Sequence, residues 1–132
     1  MCILFNKQKG IYMKKLTCHC GEIEANINID KIEQVMKCNC SICKRKGALM
    51  SIVKNEDFTI TKGKDKLSLY QFHSKIAKHY FCSICGIFTH NNPRVNPSMT
   101  AFNVGCVEGE NPFNFKDVVI KDGENHPLDQ KK

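Results

Sequence analysis

From Ile23 the chain alternates: Ile23, Ala25, Ile27 and Ile29 are apolar, and Glu22, Glu24, Asn26 and Asn28 are polar. A period of two with one polar face predicts a half-buried strand. Residues 48–53 (ALMSIV) form an uninterrupted apolar run of strand length, bounded by Gly47 and by KNED. Residues 58–61 and 67–72 flank KGKDK, which with Gly63 predicts a hairpin turn of about five residues. Further strands are expected at 78–81, 87–90, 99–104 and 118–120, and Gly86 can supply the positive φ of a turn after Cys85. Asp30 and Lys31 make a turn, and residues 32–36 read as a short strand or a single helical turn. Residues 1–13 carry no periodicity, and the polar tail from Asp122 reads as frayed. Roughly eight to ten short strands and no amphipathic helix predict an all-β domain of short antiparallel strands.

A chain of 132 residues can build one modest core, not two. No run approaches the roughly 18 apolar residues of a membrane helix. The short apolar run CILF at the start lacks a preceding basic segment, so no signal peptide is read and a cytoplasmic location is expected. The expected organisation is an arm at 1–13, a metal-binding catalytic domain at 14–117, and a strand with a tail at 118–132.

Cysteine changes the picture. There are nine, and seven fall into close groups: Cys18-x-Cys20, Cys38-x-Cys40-x-x-Cys43 and Cys82-x-x-Cys85. Clustered thiols in a reducing compartment point to metal rather than to disulfides. A small all-β core is thin, and a bound metal would add the stability it lacks. The pairs Cys18/Cys20 and Cys82/Cys85 each sit on a tight turn at a strand end. Together they can close a tetrahedral four-sulfur zinc site. Cys38, Cys40 and Cys43 remain as a set of three, which leaves one coordination position open, as a zinc that does chemistry requires. A partition in which one of the three caps the first site would strand two thiols and is less economical. Seven thiolates and two zinc ions bring the formal charge of +7 down to about +4. The high isoelectric point is therefore weak support for a nucleic-acid partner.

Three thiolates leave a zinc site with a net negative charge, a poor environment for generating hydroxide and a good one for binding another soft sulfur. Lys44, Arg45 and Lys46 follow the third thiol directly and could offset the charge of an incoming thiolate. The plainer reading is that they are solvated side chains.

With these groups placed, the chain resembles the glutathione-dependent formaldehyde-activating enzyme family, also called the centromere protein V family. The resemblance spans about residues 14–115 and rests on TCHCGEIEANI, KCNCSICKRKGAL, LYQFHSKIAKHYFCSICGIF and FNVGCVEG. It implies a β-tent fold, two thin sheets leaning together around a structural zinc held by Cys18, Cys20, Cys82 and Cys85. It implies a second, catalytic zinc on Cys38, Cys40 and Cys43. It also implies a carbon–sulfur lyase activity of the S-(hydroxymethyl)glutathione synthase type, which joins glutathione and formaldehyde or splits the adduct.

Candidate substrate contacts are Lys44, Arg45, His90 and Arg94. His73 and His79 are weaker candidates for moving a proton, set against the plainer reading of a satisfied or solvated ring. His19 lies between two thiols and is expected to point outward. Phe72, Phe81, Phe88 and Phe102 read as core, with one or two able to wall a site. Cys106 reads as a small buried residue, Cys2 carries no argument, and Lys62, Lys64 and Lys66 read as a solvated turn. The competing function is a non-catalytic zinc module that binds protein or nucleic acid. It needs a basic face with exposed stacking aromatics, and the chain has no tryptophan and no RNA-binding signature. Iron in a rubredoxin-like site needs two separate C-x-x-C knuckles, and only one stands apart here.

Overall fold

In a computed structural model, residues 12–125 are described. Among these residues ten strands form two sheets, joined by one short helix and several 3₁₀ turns. The small sheet has the order β1-β2-β5, with β1 at Met13–Thr17, β2 at Glu24–Asn28 and β5 at Phe58–Lys62. The large sheet runs β10-β3-β4-β9-β8-β7-β6. In chain order these are β3 at Met36–Cys38, β4 at Met50–Lys54, β6 at Leu67–Tyr70, β7 at Lys78–Cys82, β8 at Phe88–Asn92, β9 at Met99–Asn103 and β10 at Val119–Lys121.

The alternation read around Ile23 does what a period of two dictates. Ala25 and Ile27 are buried, while Glu24, Asn26 and Asn28 stay half-exposed. They meet Leu16 of β1 and, from the large sheet, Val53 and Phe102 in one core. A second, smaller cluster gathers Ile23, Cys18 and Cys82, so the N-terminal and C-terminal cysteine pairs are joined by packing as well as by position. An isolated bridge between Leu16 and Val107 and a bond from the Glu108 amide to the Lys15 carbonyl (2.8 Å) tie the small sheet to the loop after β9.

The all-β class holds, with five corrections. Residues 58–72 are not a hairpin: β5 pairs with β2 and β6 pairs with β7, in different sheets. Gly63 is where the chain leaves one sheet for the other. It sits at φ 80°, and a Cβ there would lie 2.0 Å from the Glu22 carbonyl oxygen, so the crossing passes too close to backbone for a side chain.

Among the described residues there is one α-helix, α1 at Ser41–Lys46, inside the three-thiol segment. Six residues are too few to show a periodicity. The strands are not all antiparallel, because β10 lies parallel to β3. Of residues 32–36 only Met36 is in a strand, while Ile32 and Val35 are buried from irregular backbone. Residues 122–125 are not frayed, because they are hydrogen-bonded to Asn39 as far as Glu124, and the rest of the tail lies outside the described residues.

Met13 opens β1, whose MKKLT sequence gave no alternation to read, and Cys2 lies outside the described residues. Among the described residues no helix is long and apolar enough to cross a membrane.

Candidate metal centres and active site

The four-sulfur group comes together as its spacing predicts. The ligand atoms of Cys18, Cys20, Cys82 and Cys85 all lie within 4.8 Å of one another. The Cys18 and Cys20 sulfurs are 3.6 Å apart, and those of Cys20 and Cys82 are 3.7 Å apart. A tetrahedron with zinc–sulfur bonds of about 2.3 Å has an edge of about 3.8 Å, so the set fits a zinc ion. Backbone amides converge on the buried sulfurs: Ile23 donates to Cys18 Sγ (3.3 Å), and Ile84 and Cys85 donate to Cys82 Sγ (3.3 and 3.4 Å). Donors of this kind compensate thiolate charge and fix ligand direction. His19 is exposed, as expected.

The ligand atoms of Cys38, Cys40 and Cys43 form a second group within the same 4.8 Å limit. Cys38 ends β3, Cys40 caps α1 and Cys43 lies in its first turn. The Cys40 sulfur accepts from the Cys43 amide (3.4 Å), as an N-cap side chain does, and the Cys38 sulfur accepts from the Cys40 amide (3.5 Å). Cys40 is only 8% exposed. Hydrogen bonds from the Cys40 and Cys43 thiols, helped by the backbone amides of Cys40 and Gly123, bring Cys38 down to about 2. The same two neighbours, Cys38 and Cys40, push Cys43 up. Sulfurs this close compete for charge, which settles on Cys38 in preference to Cys43. A divalent cation, which would offset most of the charge of three thiolates, suits this donor set.

Of the three cations that follow Cys43 in sequence, Lys46 is the one whose side chain is part-buried between two clefts. It follows Cys43 by three positions on α1, close to the same face of the helix. Its ammonium donates to Nδ1 of His79 on β7 at 2.8 Å and stands 3.6 Å over the Phe88 ring. Burial lowers Lys46 to about 8, against the pull of the three sulfurs. Burial, with the Lys46 charge adding to it, lowers His79 to about 4, so the imidazole is a neutral acceptor near pH 7. Lys46 also lies between two clefts. One, of about 280 Å³, is lined by Ile42, Tyr70, Phe81 and Phe88 with His79. The other, of about 460 Å³, is lined by Lys37, Leu49, Asn103 and Phe115 among others.

The other sequence candidates scatter. Lys44 and Arg45 are exposed on α1; Arg45 borders the smaller cleft and spends one Nη1 bond (2.7 Å) on the Ser41 carbonyl. Arg94 is half-buried in the loop after β8. His90 is 6% exposed, sandwiched between Phe58 and Tyr80 with centroids 4.5 and 4.6 Å away, and its Nδ1 meets the Thr89 hydroxyl at 2.9 Å. The histidine that lines a cleft is His79. His73 is exposed in the loop after β6. Phe81 and Phe88 wall the smaller cleft, and Phe102 is core. Cys106 is half-buried, and burial raises it to about 12.

The signal for Lys46 was present in its spacing from Cys43 and in the Gly47 that ends the helix at φ 65°. It becomes readable only once the segment is known to be helical.

A crystal structure of a Rhodobacter sphaeroides protein is similar to this chain, with a TM-score of 0.78 and 38% identity over 81% of this chain and 99% of that one. The family model described as glutathione-dependent formaldehyde-activating enzyme matches residues 13–119, a stretch that contains both cysteine groups, Lys46 and His79. The chain belongs to the glutathione-dependent formaldehyde-activating enzyme family.

Proposed function

We propose that the protein is a zinc-dependent carbon–sulfur lyase or thiol-adduct synthase that condenses a small thiol such as glutathione with an aldehyde such as formaldehyde, or splits the adduct. In this reading Cys18, Cys20, Cys82 and Cys85 hold a structural zinc, and Cys38, Cys40 and Cys43 hold a catalytic one. The observation that carries it is a set of three converged sulfurs with a cation, Lys46, on the short helix that bears Cys43. A zinc ion on the trio would supply an open position for a soft sulfur ligand and make the substrate thiol more acidic.

The chain's own groups account for the rest. In condensation the thiol sulfur forms a bond to the aldehyde carbon, the carbon–oxygen π pair moves onto oxygen, and the proton lost by the thiol ends on that oxygen. Lys46 is the donor suited to the developing oxyanion, because its ammonium is part-buried and already oriented by His79 and Phe88. His79, neutral and accepting at its δ nitrogen, holds that ammonium in place, and the proton that Lys46 gives to the oxygen is replaced by the one the thiol releases. Lys37 borders the larger cleft, where the carboxylates of a glutathione-like thiol would find a cation.

The test is zinc-loaded protein with glutathione and formaldehyde, and with a panel of other thiols and aldehydes, followed by NMR for adduct formation. Acceleration over the uncatalysed rate that disappears in Cys43→Ser is the expected result. No acceleration with any pair overturns the reading.

A further inference from the structure

Residues 119–125 lie against the three-thiol centre, and most of them fall past the end of the family match at 119. β3, the strand that delivers Cys38, pairs with β4 through Met36 and Met50 alone. It pairs with β10 through three residues, and Cys38 faces Lys121. Asn39, which stands between two of the sulfurs in sequence, fastens the segment that follows. Its amide donates to the Lys121 carbonyl (3.1 Å), its Nδ2 to Asp122 Oδ1 (3.1 Å), and its Oδ1 accepts from the Glu124 amide (2.8 Å). The other Asp122 oxygen accepts from Asn125 Nδ2 at 2.7 Å, which closes the turn.

Gly123 is the point of contact. A Cβ at that position would lie 2.7 Å from Cys38 Sγ and 2.8 Å from Cys40 Cβ. Unlike Gly21, Gly47, Gly63, Gly86 and Gly109, it has no positive φ, so the glycine is required by space and not by backbone conformation.

We infer that residues 119–125 are a positioning strap for the three-thiol centre. Gly123 packs against Cys38 and Cys40 to fix their sulfurs and to close that side of the site, which leaves the Cys43 and Lys46 side for substrate. The inference rests on the proposal that the trio holds zinc, but not on any particular substrate. Groups that orient metal ligands from outside the ligand set typically change metal affinity by about 10- to 100-fold when removed.

The experiment is release of zinc from the full-length holoprotein to a colorimetric chelator, which resolves the two ions by rate, with the four-thiol zinc as internal control. Gly123→Ala is expected to release the second zinc about tenfold faster, with the first zinc and the melting temperature unmoved. Asn39→Ala removes both side-chain bonds to the strap without adding volume; it is expected to act in the same direction and carries the test if Gly123→Ala does not fold. Unchanged release of the second zinc, or equal acceleration of both, overturns the strap. A wild-type chain that holds only one zinc brings down the metal assignment beneath it, whereas two zincs with an unmoved second rate bring down the strap alone.

Discussion

The Cys40–Cys43 and Cys82–Cys85 turns begin as the same object. In each, the amide three residues on donates to the first sulfur at 3.4 Å. In each, the next amide donates back to the first cysteine's carbonyl, at 3.0 Å for Lys44 and 2.9 Å for Gly86. They diverge at the glycine. Gly86 follows its second cysteine at once, with φ 79°, and the turn stops there and returns as β8. Gly47 comes four residues after Cys43, so one more helical turn forms and carries Lys46 to His79. One knuckle is finished as soon as its sulfurs are placed; the other goes on to deliver a cation. A shift of three positions in a glycine separates a turn suited to holding the fold from one suited to acting on a substrate.

The largest effects should separate the two centres outright. A structural zinc contributes about 10 kcal/mol or more to folding, comparable to the whole stability of a small domain. Cys82→Ser is therefore expected to lose cooperative melting and β-sheet circular dichroism at 25 °C. Cys43→Ser should keep both, lose one zinc per chain and lose turnover. If the two variants unfold alike, the contrast between the turns is wrong.

Next in size is the cation. Lys46→Met should lower kcat by about 10²- to 10³-fold, as removal of an oxyanion donor does, with little change in KM for the thiol. It should leave the melting temperature equal or higher, because the charge it deletes is part-buried. A change confined to KM would place Lys46 in thiol binding instead.

A pH series separates the scaffold from both cysteine centres. His90 is held at about 4 by burial, below its ordinary 6.5. Between pH 6.5 and 4 the unfolded chain therefore takes up a proton that the folded one refuses. Stability from this group is complete above 6.5, falls through that window and levels off below about 4, a loss of about 3 kcal/mol. Thiolate protonation acts over the same range but is common to His90→Gln, so the difference between wild type and variant in urea unfolding isolates the histidine. Curves that stay parallel would mean His90 is charged in its aromatic sandwich.

The smallest effect sharpens the comparison most finely. A Cβ at Gly47 or at Gly86 meets nothing within 4 Å, so alanine at either position costs only the left-handed backbone, about 1 kcal/mol. Both variants should melt a few degrees lower. Only Gly47→Ala should also reduce turnover, because only that glycine sets the end of the helix bearing Lys46.

What could be read in the sequence was local. The grouping of seven cysteines, the strand around Ile27 and most later strands follow from spacings of a few residues. What could not be read depended on crossings. The hairpin reading of KGKDK failed because two well-formed strands were claimed by partners in different sheets, and only the close pass of Gly63 beneath Glu22 records that. Lys46 looked like one of three solvated cations until a β-strand 33 residues away supplied His79. Asn39 and Gly123 carry no motif, and their meaning lies in a contact across 85 residues of chain.

The parallel pairing of β10 with β3 bears on how the molecule is made. A chain emerging from the ribosome has every sulfur of the four-cysteine centre once Cys85 is out, well before Val119 opens β10. β3, bonded to β4 through one residue pair, gains its main partner only when the last strand arrives. The four sulfurs can therefore gather before the strand that seats Cys38 has been made, so the two cysteine groups are completed in sequence.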